Sequence, residues 1–462
     1  MSFDLILRGG TVVLPDTNGV AADIAIKDEH IAAILAPGAP AEARETIDVS
    51  GKTVLPGVID VHLHLGHGED IARPRVPEDA ATETAAAALG GITTFIPYLM
   101  ATEPFETLFD EVCDVTEAGA RIDFGYHFII STEAQLAGVP HYAREFGAPS
   151  FKIFMNNRGG EGARLGLPDI DDGFLLRLCE AAAASGGMVC PHPENIEAAW
   201  ILRKREMEAD PEGRGGLRAW NATRPPFVEA DAVQRAGLFA RTTGARLYVV
   251  HTSSREALEA GLRARDAGTD IIIETCPHYL THDINWEGGG LAKINPPVRP
   301  RGDCDALWDG IISGDVDTVA TDHVHRDISS KAGGIWKASP GCAGLETLLP
   351  VMLTDGHHQR GIPLGRIVEL LSSAPADAMG LQHRKGRIAV GLDADLAVVD
   401  LDAHYSYNRE NVRSSAGFSI YEGRTFTGKV RHTIVRGRFV LRDGATVDTA
   451  VGTGRFVRRS LG

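Results

Sequence analysis

The chain has 462 residues, of which 44% are hydrophobic and 23% charged, which is enough for a large core and predicts two domains. Its 62 acidic and 46 basic residues give a formal net charge of -16, which argues against nucleic acid or an anionic membrane as a partner. No apolar run is long enough for a membrane span and the first residues lack a secretory signal, so we expect a cytoplasmic protein. The six cysteines form no CxxC motif and are expected to be free thiols.

Both ends of the chain show the pattern of short β-strands. Residues 1–56 include LILRGGTVV and ADIAIKD, whose alternation and turn residues are typical of antiparallel strands. The tail after about residue 384 has the same texture in KGRIAVGLDADLAVVDL and GKVRHTIVRGRFVLRDG. Because the two ends resemble each other and differ from the middle, we predict one small β-sandwich domain built from residues 1–56 and 384–462.

The middle of the chain, residues 57–383, alternates short apolar runs with helical patterns. Helical segments such as DDGFLLRLCEAAAASGG and DAVQRAGLFARTTG end at glycine, as helices often do. Apolar runs bounded by turns are typical of buried parallel strands, and eight of them alternating with helices predict an α/β fold, a (β/α)8 barrel of the TIM type. The predicted strands are 58–65, 93–99, 123–130, 150–155, 187–192, 246–251, 270–276 and 316–322.

Polar residues stand at the C-terminal ends of several of these strands. His62 and His64 close VIDVHLH, and their side chains share one face because they are two positions apart. His192 ends MVCPH, His251 ends LYVVH and Asp322 ends VDTVATDH. Barrel active sites lie at this end of the strands, so the set predicts a metal centre. Neighbouring polar residues are expected to support the site or to belong to loops, and these are Asp60, His67, His278, His323 and His325.

Lys152 is the unusual member of this set, because it lies inside the apolar strand SFKIFM. A buried cation is costly there unless the side chain snorkels, forms an ion pair or is chemically modified. A desolvated lysine loses its proton readily, and the neutral amine can take up carbon dioxide to form a carbamate. We therefore expect Lys152 to be N6-carboxylysine, an anion able to bridge two divalent metal ions.

The expected ligands define the expected chemistry. Imidazole and carboxylate groups without thiolate suit two Zn²⁺ ions, with Mn²⁺ or Co²⁺ as alternatives. Two ions bridged by a carboxylate-like group would create a bridging hydroxide that attacks a polarised carbonyl. Asp322 could take the hydroxide proton and pass it to the leaving nitrogen as general acid/base, which suits amide hydrolysis.

A series of motifs resembles the amidohydrolase superfamily, in particular its cyclic-amidase branch of hydantoinases, dihydropyrimidinases, allantoinases and dihydroorotases. The motifs run in order from about residue 51 to 400 and are specific to the family when taken together. They are PGVIDVHLHLG, GGITTF, SFKIFM, PHPEN, RPPFVEADAV, VVHTSS, ETCPHYL, INPPVRP, ATDH, GLETLLP and KGRIAVGLDADLAVVD, with YEGRTFTGKV beyond them.

The resemblance implies a barrel with a β-sandwich, a binuclear metal centre and a homodimer or homotetramer. By motif position, one metal ion would be held by His62, His64, carboxylated Lys152 and Asp322. The other would be held by the same carboxylated lysine together with His192 and His251. The implied substrate is a small cyclic amide or imide of the hydantoin or dihydropyrimidine type.

The residues expected to contact the substrate depart from the family pattern. Dihydroorotases carry an Arg directly after the HxHL motif, and Gly66 at that position weighs against a dihydroorotase. Hydantoinases carry a Tyr five residues after the carboxylated lysine, where this chain has Asn157, whose amide could donate to an oxyanion. Backbone groups of Asn295 would hold the ring amide, while a hydantoinase-type Asn near SPGCAGLE is replaced by Pro340 or Gly341.

Three functions follow from these observations. The first is a hydrolase that opens a hydantoin or dihydropyrimidine ring. The second is an allantoinase-like or dihydroorotase-like hydrolase of a ureide or amide. The third is a catalytically silent relative that acts as a scaffold, and it is disfavoured because such relatives lose metal ligands whereas this chain keeps all the candidate positions.

Three segments outside the strands have open roles. Loops 66–80 and 156–168 are expected to shape the pocket. The segment NVRSSAGFSIYEGRTFTGKV is expected to pack either on its own barrel or on a neighbouring subunit. Four loop arginines are expected to be solvated charges rather than substrate contacts, and they are Arg73, Arg75, Arg158 and Arg164.

Overall fold

The computed structural model describes residues 2–461, whose strands fall into two sheets. The strands of the N-terminal region are β1 (Phe3–Val12), β2 (Val20–Lys27), β3 (His30–Leu35), β4 (Ala43–Asp48) and β5 (Thr53–Pro56). Those of the middle are β6 (Val58–His64), β7 (Ile92–Leu99), β8 (Asp123–Phe124), β9 (His127–Ile129), β10 (Ser150–Phe154), β11 (Met188–His192), β12 (Arg246–Val249), β13 (Ile271–Thr275), β14 (Thr318–Val319) and β15 (His323–Val324). Those near the C-terminal end are β16 (Leu396–Tyr407), β17 (Arg424–Val435), β18 (Arg438–Arg442) and β19 (Ala445–Thr446).

The helices all lie in the middle of the chain, between β6 and β16. They are α1 (Pro77–Leu89), α2 (Phe109–Gly119), α3 (Glu133–Arg144), α4 (Asp172–Ser185), α5 (Ile196–Ala209), α6 (Gly216–Thr223), α7 (Pro226–Thr243), α8 (Arg255–Asp266), α9 (Pro277–Thr281), α10 (Arg301–Ser313), α11 (Gly334–Lys337), α12 (Leu348–Val351), α13 (Leu364–Val368) and α14 (Ala374–Ala378). Two π-helical segments, Met352–His358 and Glu369–Ser373, continue α12 and α13. Among the described residues, no helix is long and apolar enough to cross a membrane.

Local sequence signals explain where several of these helices begin and end. Asp171 and Ser254 precede α4 and α8, and each side chain accepts a hydrogen bond from a backbone N–H of the first turn. Gly186 and Gly244 follow α4 and α7 with φ of 68° and 75°, a left-handed conformation that glycine adopts without strain. The glycines therefore end both helices where the sequence predicts.

Strands from both ends of the chain form one nine-stranded sheet, as predicted. Its order is β19-β18-β17-β16-β5-β1-β2-β3, and β4 also pairs with β1. The expectation of wholly antiparallel strands is wrong at one place, because β1 pairs in parallel with both β4 and β5. The first part of β1 pairs with β4 and its last part with β5, and its register with β2 shifts between Leu7 and Gly10.

The middle strands form a parallel barrel, which confirms the predicted fold class. The order is β14-β13-β12-β11-β10-β9-β7-β6-β15, with β8 beside β7. β14 pairs with β13 and β15 pairs with β6, so the stretch from Thr318 to Val324 closes the barrel. The proposed division into domains, 1–56 plus 384–462 and 57–383, remains a prediction.

Two of the eight predicted strands are interrupted. The predicted strand 123–130 is divided into β8 and β9, and the predicted strand 316–322 is replaced by β14 and β15. Asp322 lies in the second interruption with φ of 46°, a conformation that a regular strand cannot include. The break therefore falls at a predicted metal ligand.

Alternate residues of the barrel strands enter different parts of the core. In β12, Leu247 and Val249 belong to the largest apolar cluster, whereas Tyr248 belongs to a second one. This is the alternation of a strand buried on both faces. All six cysteines are free thiols, as predicted, and five of them are buried.

The C-terminal segment that includes NVRSSAGFSIYEGRTFTGKV packs on the chain's own barrel. His282 Nε2 lies 3.0 Å from the carbonyl oxygen of Ile420. The carboxylate of Glu346 accepts a hydrogen bond of 2.9 Å from the backbone N–H of Ser414. These contacts favour the first of the two alternatives for this segment.

A buried ionic cluster joins the terminal sheet to the barrel. Lys385 Nζ lies 2.8 Å from Asp123, 3.2 Å from Asp393 and 2.5 Å from Asp395. Arg436 also contacts Asp123, at 3.1 Å. Burial opposes the charged form of Lys385, but the three carboxylates outweigh it and raise the pKa of the ammonium group.

We expect Lys385→Met to lower the free energy of unfolding by about 3–5 kcal/mol, because it leaves three buried carboxylates without their shared cation. Urea unfolding followed by circular dichroism measures the change. Lys52→Met is the matched control, since its 2.7 Å pair with Asp400 is partly exposed, and it should cost less than about 1 kcal/mol. Equal losses in the two variants would contradict a special role for the cluster.

Candidate metal centre

The barrel brings the predicted ligands together at the C-terminal ends of its strands. His62 Nε2 lies 3.1 Å from Asp322 Oδ1 and 3.3 Å from Lys152 Nζ. His64 Nε2 lies 4.0 Å from the same oxygen of Asp322. Ligand atoms of His62, His64 and Asp322 all lie within 4.8 Å of one another, which is close enough for all three to contact one ion.

His192 and His251 form the second part of the centre. His192 Nδ1 lies 2.8 Å from His251 Nε2, and both side chains are buried. The rings of His251 and His62 are 5.3 Å apart between centroids, so the pair lies directly beside the first group. All six predicted ligands are thus part of one cluster, although their binding of metal remains a prediction.

Lys152 is 1% exposed and has no counter-ion within the described part of the chain. Its Nζ contacts His62 Nε2 and lies 4.3 Å from the centre of the Tyr98 ring, but no carboxylate oxygen of residues 2–461 comes within 4.0 Å. Burial lowers the pKa of Lys152, and the charges of Asp322 and Glu274 offset this only in part. The environment therefore destabilises the ammonium form relative to the neutral amine, which is the form that reacts with carbon dioxide.

The pKa shifts of the other groups suit metal binding except at His62, where burial opposes protonation but Glu274 and Asp322 outweigh it and raise the pKa of the ring. Burial lowers the pKa of His64 to about 3 and that of His251 well below its usual value, so both rings are neutral at pH 7. Burial works against ionisation of Asp322, but His62 and His64 outweigh it and lower the pKa of that carboxyl. An anionic carboxylate beside the neutral rings of His64 and His251 fits a divalent cation, and His62 would release its proton on binding one.

Two of the predicted ligands have an unusual backbone conformation. His251 and Asp322 have φ of 44° and 46°, in the left-handed region that residues other than glycine rarely adopt. The backbone N–H of His251 donates a 2.8 Å hydrogen bond to Glu274, which holds the strained turn. Such strain is found at functional sites, where surrounding contacts maintain it.

Glu274 is absent from the residues predicted from the sequence, yet it organises both halves of the cluster. Its Oε1 lies 2.6 Å from His62 Nδ1 and accepts the His251 N–H, while its Oε2 accepts a 2.9 Å hydrogen bond from Tyr248. A carboxylate on the far nitrogen of an imidazole fixes the ring orientation and directs the other nitrogen at the site. The signal was present, because Glu274 is a charged residue within the apolar run IIIET.

Glu194 holds His192 in the way that Glu274 holds His62. Its Oε2 lies 2.7 Å from His192 Nε2, which leaves Nδ1 directed at His251. The other oxygen of Glu194 lies 3.3 Å from Arg224 Nε, and this ion pair is buried. Glu194 belongs to PHPEN, but nothing in that motif alone distinguishes it from a surface acid.

Asp60 and His67 occupy the supporting positions expected of them. Asp60 accepts a 2.6 Å hydrogen bond from the Thr321 hydroxyl and a second bond from the Thr321 N–H. It therefore holds the chain immediately before Asp322. His67 lies in a loop, half exposed, and its Nδ1 is 3.0 Å from Asp79.

The remaining histidines differ in their contacts. His323 Nε2 lies 3.1 Å from Glu83, and its Nδ1 accepts a 3.1 Å hydrogen bond from the Gly344 N–H, a supporting arrangement. His325 Nδ1 lies 3.4 Å from the backbone oxygen of His64. His278 Nε2 is buried and has no hydrogen-bond partner in residues 2–461, so its predicted structural role is not explained by a contact.

The two predicted substrate-binding residues carry unpaired polar atoms. Asn157 Nδ2 and Asn295 Oδ1 are buried and without a hydrogen-bond partner within residues 2–461. The loop at Gly66 also explains its departure from the dihydroorotase pattern. A Cβ atom on Gly66 would overlap the carbonyl oxygen of Asp70, so this loop conformation excludes an arginine there.

Comparison with known proteins agrees with this geometry. The sequence model of the amidohydrolase family matches residues 247–440. An allantoinase of Rubrobacter xylanophilus is 36% identical over 99% of this chain and 98% of its own length, and one of Solibacter usitatus is 37% identical over 94% and 93%. The chain belongs to the amidohydrolase family. Membership of its cyclic-amidase branch is confirmed, and the chain is a hydrolase.

Solved structures give the same result for the fold. A D-hydantoinase has a TM-score of 0.89 at 32% identity, with 99% of both chains covered. The L-hydantoinase (dihydropyrimidinase) of Arthrobacter aurescens has a TM-score of 0.90 at 31% identity, covering 99% of this chain and 100% of its own. The predicted barrel with a terminal sheet is therefore the architecture of these relatives.

We expect Glu274→Gln to weaken metal binding about 10–100-fold, because the neutral amide no longer fixes the far nitrogen of His62. Competition with a chromogenic chelator measures the affinity for Zn²⁺. Glu45→Gln is the control, since Glu45 pairs with Arg442 on the surface of the terminal sheet. An unchanged affinity in Glu274→Gln would show that the His62 ring is held by its packing alone.

Proposed function

We propose that the chain is a metal-dependent hydrolase that opens a cyclic amide ring of the hydantoin type. The observation that carries the proposal is the buried cluster of four histidines, one lysine and one aspartate at the barrel mouth. Allantoin, a hydantoin with a ureido substituent, is the second candidate, and the allantoinases among the relatives favour it. Both candidates share the ring amide to be cleaved.

We infer that the six residues hold two divalent cations, most simply Zn²⁺. His62, His64 and Asp322 would hold one ion, His192 and His251 the other, with carboxylated Lys152 shared between them. When bound, the two ions would make water more acidic and polarise the carbonyl of the ring. Lys152 has no counter-ion in the part of the chain that the structure describes, and this supports the carbamate because carboxylation removes a buried unpaired cation.

Asp322 is proposed to move the proton. Its lowered pKa keeps it ionised at pH 7, so it can accept a proton from the attacking water. As the ring C–N bond breaks, the carboxyl returns that proton to the leaving nitrogen, which balances the hydrolysis. The strained backbone at Asp322, held by Asp60 through Thr321, fixes the direction of the carboxylate.

Asn157 and Asn295 are proposed to hold the substrate. The unpaired Nδ2 of Asn157 is a buried donor suited to the carbonyl oxygen as negative charge develops on it. Asn295 lines a cavity together with residues such as Gly160 and Trp336, and its backbone groups could pair with the ring amide. A homodimer or homotetramer is part of the proposal through the family resemblance.

The function is tested with zinc-loaded protein, which should contain about two ions per chain and open hydantoin, dihydrouracil or allantoin. Asp322→Asn should lower turnover about 10²–10⁴-fold while metal remains bound, because it removes the proton acceptor. Ring opening is followed by absorbance and by liquid chromatography of the product, and metal by mass spectrometry. Asp402→Asn, an exposed position, should leave both unchanged.

Failure to open any of these rings with two ions bound would point to another amide. Absence of both turnover and bound metal, even after zinc and bicarbonate are supplied, would favour the catalytically silent scaffold. Retained turnover in Asp322→Asn would assign the proton transfer to another group.

We expect Lys152→Ala to abolish turnover and to lower the metal content, because it removes the proposed bridge. Acetate or propionate should restore part of the activity by occupying the space of the carbamate. The measurement is turnover against added carboxylic acid, with Lys429→Ala in the terminal sheet as the control. Full activity of Lys152→Ala without added acid would contradict the carbamate.

A further inference from the structure

A large cavity opens beside Asn295, with a volume of about 1020 Å³. This lies at the upper end of the range of about 300–1,000 Å³ that is usual for ligand sites. None of the six predicted ligands is among its lining residues, so a ring held at those ligands would leave this space free. The cavity therefore has room for a ring substituent, and its walls indicate which chemistry that substituent has.

The walls of this cavity, called here the vestibule, are aromatic and cationic. Its aromatic residues are Trp200, Trp220 and Trp336, and its basic residues are Arg164, Arg203, Lys204, Arg224, Lys293 and Lys337. Only two acidic residues face these six cations, and they are Glu161 and Glu208.

Several of these charges are already paired. Arg203 forms an ion pair with Glu161, and Arg224 lies 3.3 Å from Glu194. Lys204 lies 4.0 Å from Glu208 on the exposed side. Arg158, in the same loop as Arg164, is held by Asp172 at 2.5 Å and is not part of the vestibule.

Lys293 is the cation whose position is hardest to explain without a ligand. It is 4% exposed, and no carboxylate oxygen of residues 2–461 lies within 4.0 Å of its ammonium group. Its Nζ lies 3.2 Å from the carbonyl oxygen of Trp336 and 4.1 Å from the centre of the Trp220 ring. Burial, together with Arg224 and Arg164, lowers the pKa of Lys293 to about 7.

A second buried lysine, Lys331, differs from Lys293 in the number of its hydrogen bonds. Lys331 is also buried without a carboxylate, but its Nζ donates to the carbonyl oxygens of Lys293, Ser339 and Gly341. Those three bonds satisfy all three of its donors. Lys293 has one such bond, so two donors remain for a group that enters the vestibule.

We propose that the vestibule binds an anionic, carboxylate-bearing substituent of the substrate ring, with Lys293 as its main contact and Arg164 at the entrance. The proposal rests on the proposed ring hydrolysis, since Lys293 lies two residues from Asn295. A carboxylate fits because it accepts two hydrogen bonds and supplies the missing negative charge. A neutral ureido group, as in allantoin, would leave the Lys293 charge unpaired.

The test compares two hydantoins that differ only in charge. One carries a 2-carboxyethyl group at C5 and the other the matching 2-carbamoylethyl group. We expect kcat/KM for the acid to exceed that for the amide by about tenfold or more, since a hydrogen bond to a charged group is at stake. Lys293→Met should remove this preference by lowering kcat/KM for the acid at least about fivefold more than for the amide, because the charge that favours the carboxylate is lost together with the N–H donors. Lys429→Met, a control variant in the terminal sheet, should retain the preference for the acid.

Binding gives an independent readout. Isothermal titration of the same two compounds into wild type and Lys293→Met reports the charge preference whether or not the rings are opened. Tighter binding of the acid to wild type alone supports the vestibule even where turnover, and with it the proposed function, fails. Equal binding of the two compounds, or an acid preference that survives in Lys293→Met, overturns the inference.

Discussion

The ammonium group of Lys152, buried in the barrel with no counter-ion among residues 2–461, is the constraint on which the site depends. A lone cation in that position is unstable, so it must lose its proton, be modified or recruit negative charge. The proposed carboxylation would resolve the problem by converting the cation into an anion, which would then need positive charge from two metal ions. The imidazoles around it would supply the remaining ligands. In this proposal, one energetic conflict accounts for the lysine, the histidines and the ions together.

The geometry of the cluster is maintained by residues that do not belong to it. Glu274 and Glu194 hold the far nitrogens of His62 and His192 at 2.6 Å and 2.7 Å, so the free nitrogens face inward. Asp60 acts through Thr321 on the strained turn at Asp322. The buried carboxylates thus set ring orientation and backbone direction, and the C-terminal ends of the parallel strands supply the common edge.

Much of the fold and of the candidate site was predictable from the sequence, because both depend on the spacing of apolar residues. The strand ends, the terminal sheet and the six clustered residues follow from apolar runs and from the polar residue that closes each run. The interruption at Asp322 was not predictable, because a positive φ results from tertiary contacts rather than from local propensity. The role of Glu194 depends on a contact with Arg224 that no sequence spacing indicates. Lys293 resembles any surface lysine until the fold buries it.

Three buried lysines show how the same side chain acquires different roles. Lys385 has three carboxylates within 3.2 Å, so its pKa is raised and its charge joins the terminal sheet to the barrel. Lys152 has none among residues 2–461, and its burial lowers the pKa of the amine. Lys293 also has none within the described part of the chain, but it lines the vestibule, which an anion is proposed to enter. The number of carboxylates and the access to solvent therefore distinguish the structural charge of Lys385 from the proposed reactive amine of Lys152 and the proposed binding site at Lys293.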